Sequence, residues 1–416
     1  MSAEAAPGAV IAGGGYAAGE FAVKLRQGGY AGSITMVGAE PHLPYHRPPL
    51  SKTVLSGQVT PESLLLRPQA AYDKFGVSFM GGLHVTSIDR ARRTVALENG
   101  VTLPYAKLVI ATGGRARRLA CPGAALAGLY TLRTIADVAA IRESMVAGTK
   151  LVIIGGGYIG LEVAAVAVKH GLTVTVIEAA PRLLARVAGA EISAFYEAAH
   201  RAAGVRVITG AGVQALHPNP GEPGRVGGVE LADGTVLAAD FAVAGVGLIA
   251  NTELAEQAGL KVENGIWVDE FCRTDDPDIL SLGDCANHPC PFLGRRVRLE
   301  SVPNALEQAR VAADTINGKL QPYAAVPWFW SDQYDLKLQA VGLADGHDQV
   351  VVRGSMEARS FLVFYLRGGT LIAADAVNRP GEFMVAKRLV GACLSPEVAV
   401  LGDDAQPLKG LLAGAG

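Results

Sequence analysis

Val10-Ile11-Ala12-Gly13-Gly14-Gly15-Tyr16-Ala17-Ala18 and Leu151-Val152-Ile153-Ile154-Gly155-Gly156-Gly157-Tyr158-Ile159-Gly160 read as one device used twice. Each sets a short apolar run, suited to a buried parallel strand, before G-x-G-x-x-A or G-x-G-x-x-G, and a helical apolar pattern follows. The glycines allow a tight turn and a close backbone approach, and the helix N-terminus offers free N–H groups to an anion. One such turn is weak evidence for a dinucleotide. Two of them, roughly 140 residues apart and each with an acidic residue about 25 residues on, point to two dinucleotides in one protein. The economical pair is a bound flavin and a visiting nicotinamide.

Composition fits a large folded protein. The chain has 416 residues, enough for two or three domains. Hydrophobic residues make up 50% and charged ones 18%, so sizeable cores can be buried. A net charge of −2 carries no nucleic-acid signature. Five cysteines are too few and too irregular for a secreted disulfide scaffold. The first eight residues lack a basic segment followed by an apolar one, which argues against a signal peptide and for a cytoplasmic protein. Residues 151–168 are apolar enough to suggest a membrane span. Three consecutive glycines, Gly160 and the charged Glu162 make a turn and a helix the better reading.

The fold class expected is α/β: two Rossmann-like dinucleotide-binding domains and a C-terminal α+β domain. Residues 1–114 and 246–325 form the first domain, 115–245 the second and 326–416 the third. Strand 9–12, helix 16–26 and strand 33–37 give a βαβ opening. Pro41, Pro44, Pro48 and Pro49 forbid a regular helix in the loop that follows. Residues 95–97 and 103 flank Glu98-Asn99-Gly100 as a hairpin, and residues 108–114 read as a separate buried strand ending in small residues. In the second domain, helix 158–170 and strand 173–177 follow the turn. Residues 218–228, dense in Pro and Gly, read as an exposed loop, and strand 240–246 leads back to the first domain. Residues 279–284 form an apolar strand ending in Gly-Asp, with a helix over 304–317. Strands at 350–352, 361–366 and 371–376 and a helix at 382–393 complete the chain.

Together these stretches resemble the flavin-dependent ferredoxin reductases of the glutathione-reductase structural class, in the branch of the putidaredoxin and ring-dioxygenase reductases. The markers are Arg47-Pro48-Pro49-Leu50-Ser51-Lys52, Ala111-Thr112-Gly113-Gly114, the second glycine turn, Gly283-Asp284, Glu300-Ser301-Val302-Pro303-Asn304-Ala305 and Trp328-Phe329-Trp330-Ser331-Asp332. The resemblance covers essentially the whole chain. It implies an FAD domain interrupted by an NADH domain, and a C-terminal domain after them.

For FAD, Gly13 and Gly15 suit the pyrophosphate, and Ala18 in the third glycine position still lets helix pack on strand. Glu40 is the candidate for the adenosine ribose, because Ala39 stands where a close relative carries Asp. The resemblance implies that Lys52 lies beside the flavin, where a cation favours the anionic reduced ring. It also implies Asp284 on the ribityl chain, the Val302 N–H toward the pyrimidine end, Trp330 packed near the ring and Arg133 near the FAD. It adds Arg47, Val85 and Ala111 as further cofactor contacts.

For NADH, Gly155, Gly157 and Gly160 complete the glycine positions, with Tyr158, Ile159 and Gly247 as neighbours. Glu178 ends the following strand. A carboxylate there accepts from a ribose 2′-OH and repels a 2′-phosphate, so NADH is expected over NADPH. Glu162 resembles a family residue near the nicotinamide; a helix-terminal acid stabilised by the dipole is the alternative. Lys52, Glu162 and Trp330 are the candidate catalytic residues. Gly245-Val246-Gly247-Leu248-Ile249-Ala250-Asn251 resembles the nicotinamide-pocket stretch, with Ala250 where proline is usual.

Disulfide-reducing cousins place a Cys-x4-Cys pair soon after the first glycine turn, and here no cysteine precedes Cys121. Cys285 and Cys290 have that spacing but follow the candidate ribityl residue, which argues for incidental thiols. His42 and His46 have Pro44 between them, so no helical metal pair is expected. Electrons must then leave the flavin another way; release one at a time suits a [2Fe–2S] ferredoxin, and Arg310, Lys387 and Lys409 resemble the family's docking residues. The ferredoxin would in turn serve a cytochrome P450 or a ring-hydroxylating dioxygenase. An NADH oxidase, a rubredoxin reductase and an NADH-sensing flavoprotein scaffold are the other readings.

Overall fold

The computed structural model describes residues 7–412. These divide into two compact units. The first gathers residues up to Arg47, Glu62–Arg115 and Ile249–Pro327; the second gathers Pro48–Pro61, Ala116–Leu248 and the chain from Trp328 onward. The proline-rich segment after Arg47, which the sequence places with the first domain, thus belongs to the second unit. So do residues 116–248 and the C-terminal strands, which the sequence assigns to separate domains.

The first unit is built on strand Gly8–Ala12, which is apolar throughout and buried along its whole length. A strand buried on both faces belongs in the middle of a parallel sheet. It pairs in parallel with Ile34–Gly38 on one side and Thr102–Ile110 on the other. Val77–Gly81 extends the first flank, and Ile279–Ser281 pairs in parallel with Thr102–Ile110. Helix Tyr16–Gln27 covers the sheet and packs against helix Val302–Ile316. Phe21, Leu25, Met36 and Val311 lie in the core between them.

The second unit repeats the plan. Lys150–Ile154 runs parallel to Thr173–Glu178 on one side and Phe241–Ala244 on the other. Helix Tyr158–Lys169 follows the first of these strands. A five-stranded antiparallel sheet closes the chain in the order Trp328–Gln333, Leu336–Gly342, Thr370–Val377, Ser360–Arg367, Gln349–Ser355. Helix Pro380–Gly391 packs on it.

Several local expectations need correction. Residues 218–228 are not a loop: Val213–Asn219 and Glu222–Leu231 form an antiparallel hairpin. Pro218 is tolerated because it lies on an edge strand, where register shifts on both sides of it absorb the missing donor. The hairpin strand near 103 and the buried strand at 108–110 are one strand, Thr102–Ile110, which alternates at its start and is fully buried at its end. Pro48–Ser51 makes a single 3-10 turn within the proline-rich arm. Strands Trp328–Gln333 and Leu336–Gly342, which the sequence does not mark, reverse through Tyr334 at φ +58°.

Gly13 is where the first turn presses against the end of the neighbouring strand. Its φ is +138°, and a Cβ would stand 2.2 Å from the Ala111 carbonyl oxygen. Gly13→Ala is therefore expected to cost about 2 kcal/mol or more through backbone strain alone. A clear fall in the thermal unfolding midpoint checks it, and an unchanged midpoint contradicts the close approach.

Candidate functional site

The two glycine turns share two backbone bonds. Gly13 N donates to Val37 O at 2.8 Å, and Gly155 N donates to Ile177 O at 2.8 Å. Ala111 N donates to Ala12 O, and Gly245 N donates to Ile154 O. A Cβ on Gly155 would stand 2.4 Å from the Gly245 oxygen, the counterpart of the Gly13 approach. Gly15 and Gly157 are the two N-caps; neither helix receives a side-chain cap or carries an acidic residue in its first turn. A Cβ on either would meet nothing within 4 Å. Each turn is thus an open concavity lined by uncapped helix N–H groups, the donor set that fits a pyrophosphate. Ala18 is fully buried where the second turn has Gly160, whose added Cβ would meet the Gly155 oxygen at 2.3 Å.

In the first unit, Glu40 Oε1 accepts from Arg47 at 2.6 Å and Glu40 Oε2 from the Tyr45 hydroxyl at 2.6 Å. Burial alone would lower the Arg47 guanidinium; Tyr45, Glu40 and Asp284 outweigh it and hold it above its usual range. Gly283, at φ +81°, turns the chain after Ile279–Ser281, and its N–H donates to Gln308 Oε1. The Asp284 carbonyl accepts from Arg298 at 3.1 Å. Val302 is the first residue of its helix, after the Ser301 cap. Ala111 follows strand Thr102–Ile110, and Val85 opens strand Val85–Asp89.

In the second unit, Glu178 is anchored on the cradle. Its Oε2 accepts from Gly156 N and its Oε1 from Ala180 N, both at 2.7 Å. A carboxylate has about four acceptor positions, so two such bonds leave room for another donor. Tyr158 and exposed Ile159 open the helix, and Gly247 has φ +105°. Arg133 precedes the Thr134 cap of helix Ile135–Ser144, its N–H bonded to Asp137.

A cation and two hydroxyls converge on Glu162, which is 4% exposed. The Lys52 ammonium is 2.8 Å from Glu162 Oε1. Two hydroxyls share the carboxylate: Ser51 donates to Oε2 at 2.5 Å and Ser331 donates to Oε1 at 2.6 Å. Lys52 also donates to the Pro48 carbonyl at 3.1 Å. The sequence names Lys52 and Glu162 for different cofactors; the fold makes them one ion pair. Ser51 and Ser331 lie inside quoted motifs, but nothing in the sequence gives them this task. Trp330 adjoins Ser331, with its ring centroid 5.6 Å from that of Trp328.

Among the docking candidates, Arg310 is bound to Glu307 and Asp314 on its own helix, so two carboxylates offset its charge. The Lys387 ammonium sits 4.4 Å from the Trp328 ring centroid, and partial burial lowers its pKa. Lys409 is exposed on the turn Leu408–Leu412. All five cysteines are free, and burial raises the Cys285 and Cys290 thiols. Among the described residues there is no cluster able to hold a metal, and no helix is long and apolar enough to cross a membrane.

Comparison with known proteins agrees over the full length. The family pattern of pyridine nucleotide-disulphide oxidoreductases matches residues 8–309, and a reductase C-terminal pattern matches residues 328–412. Putidaredoxin reductase CamA of Pseudomonas putida is 46% identical over 409 residues, 98% of this chain and 97% of that protein. The 5,5'-dehydrodivanillate O-demethylase ferredoxin reductase subunit of Sphingobium sp. is 46% identical over 408 residues, 98% of each chain. The crystal structure of the covalent putidaredoxin reductase–putidaredoxin complex superposes with a TM-score of 0.95 at 46% identity, over 99% of both chains.

The ion pair has a stability signature. Glu162→Leu leaves a mostly buried ammonium uncompensated and is expected to cost about 3 kcal/mol or more. Lys52→Met in the same chain removes the stranded charge and is expected to restore much of the loss. Urea denaturation of the single and double variants checks this, and additive losses contradict it.

Proposed function

Because the chain belongs to the pyridine nucleotide-disulphide oxidoreductase family, we propose that it is an FAD-containing, NADH-dependent ferredoxin reductase. It takes hydride from NADH and delivers single electrons to a [2Fe–2S] ferredoxin serving a cytochrome P450 or a ring-hydroxylating dioxygenase. The duplicated, uncapped glycine cradle carries this reading, since two equivalent pyrophosphate sites need two dinucleotides. The full-length likeness to reductases of ferredoxin-dependent systems supports it.

Bound FAD supplies the means to accept an electron pair as hydride and to release it one electron at a time. The chain does the rest by binding and orientation. Gly13, Gly15 and the helix N-terminus hold the flavin pyrophosphate, and Ala18 keeps helix and strand close. Glu40, braced by Arg47 and Tyr45, takes the adenosine ribose. Asp284 takes the ribityl chain and the Val302 N–H the pyrimidine end, with Val85, Ala111, Arg133 and Trp330 as further contacts. Lys52 supplies positive charge for the reduced ring, and Glu162 holds that charge in place. Gly155, Gly157 and Gly160, with Tyr158, Ile159 and Gly247, form the NADH seat, and Glu178 selects it over NADPH.

Burial of Cys285 and Cys290, which raises both thiols, favours a one-electron acceptor over dithiol chemistry. Lys387 and Lys409 are the docking cations for an acidic ferredoxin. Arg310 joins them only if a partner carboxylate displaces Glu307 or Asp314.

Steady-state NADH oxidation coupled to cytochrome c, with and without a [2Fe–2S] ferredoxin, tests the function. Strong stimulation by ferredoxin is expected, and slow turnover without stimulation contradicts it. Glu178→Arg removes the ribose acceptor and the two cradle bonds and adds a phosphate partner. NADH binding should weaken by about 1.5–3 kcal/mol, with preference moving toward NADPH. Unchanged discrimination in KM ratios removes Glu178 from the site.

A further inference from the structure

The Glu162 carboxylate terminates a longer polar thread. The Tyr334 hydroxyl lies 2.9 Å from His200 Nδ1. His200 Nε2 lies 2.8 Å from Gln333 Oε1. Gln333 Nε2 donates to Ser331 Oγ at 3.2 Å, and Ser331 donates to Glu162 Oε1 at 2.6 Å. Gln333's oxygen can only accept, so His200 carries its proton on Nε2 and the Tyr334 hydroxyl donates to Nδ1. Every bond then points the same way, proton end toward the carboxylate. Dipoles aligned in series reinforce one another and terminate on the one anion of the chain.

The residues come from separate stretches. His200 is on helix Ala190–Ala202, Ser331 and Gln333 on strand Trp328–Gln333, and Glu162 on helix Tyr158–Lys169, all within the second unit. His200, Gln333 and Ser331 are 0%, 1% and 0% exposed, so water cannot replace a lost partner. Burial lowers the His200 pKa, which keeps the ring in the neutral form that the thread requires.

We infer that Ser331, Gln333 and His200 are positioning residues: they fix the rotamer of Glu162, and through it the place of the Lys52 ammonium. This rests on the reading of Lys52 as the cation beside the flavin. Without the thread, Oε1 keeps only Lys52 while Ser51 still pulls on Oε2, so the carboxylate can rotate and release the ammonium. The C-terminal strand thereby sets the electrostatics of a lysine nearly 280 residues earlier in the chain. A glutamine amide does not pass protons, so the thread orients and does not conduct.

The test uses the FAD-loaded full chain carrying Ser331→Ala, Gln333→Met or both. One readout is the rate at which Lys52 is acetylated by N-hydroxysuccinimide acetate, followed by peptide mass spectrometry. The other is flavin reduction by NADH in stopped flow. Acetylation of Lys52 should rise about tenfold in Ser331→Ala and about threefold in Gln333→Met, in proportion to the charged and neutral hydrogen bonds lost. The double variant should match Ser331→Ala alone, because one broken thread cannot be broken twice. The limiting reduction rate should fall in the same order, with the NADH dissociation constant unchanged. Wild-type Lys52 acetylation in Ser331→Ala, or independent effects in the double variant, overturns the inference. A lower thermal midpoint with unaltered Lys52 acetylation overturns it as well, since it marks a purely structural role. If wild-type protein takes no hydride from NADH, the functional reading fails instead, and acetylation still decides the thread.

Discussion

The structure depends on a strand-to-helix turn pressed against the carbonyl of the neighbouring strand. Gly13 against Ala111 and Gly155 against Gly245 leave no room for a side chain. The helix that follows each turn begins at a glycine, Gly15 or Gly157, so its N-terminus has no side-chain cap. The orphan N–H groups that result are costly unless water or an anion satisfies them. The same turn therefore also leaves open the cradle proposed for a pyrophosphate, and the chain builds it twice.

The second organising element is the buried anion at Glu162. A carboxylate this deep needs strong compensation. It has one cation and two hydroxyls, contributed by the arm around Pro48–Ser51 and by the strand at Trp328–Gln333. Such a pair adds little net stability compared with an apolar equivalent. Its value is geometric: it fixes where Lys52 puts its charge. Glu178 behaves similarly, since two backbone N–H bonds hold it on the cradle rather than free in solvent.

Much of this was legible in the sequence because local rules govern it. The glycine turns, their flanking apolar strands and the acidic residues at the strand ends are set by short-range backbone geometry. The sequence reads Thr102–Ile110 as two strands because its pattern changes from alternating to fully buried as it enters the sheet. The hairpin at 213–231 was hidden because edge position, rather than composition, decides whether proline is tolerated. The Ser51, Ser331, Gln333 and His200 partners of Glu162 were not legible. Ser51 and Ser331 reach Glu162, and His200 reaches Gln333, across separations of more than 100 residues, and serine or glutamine beside a motif carries no local signal.

The central claim is that one cradle permanently holds FAD and the other admits NADH. Anaerobic titration of the purified protein with NADH, followed by flavin absorbance, tests it most directly. The account predicts a yellow protein whose flavin band is bleached by about one equivalent of NADH. A colourless protein that takes up no FAD on reconstitution, or a bound flavin that NADH leaves oxidised, would contradict it.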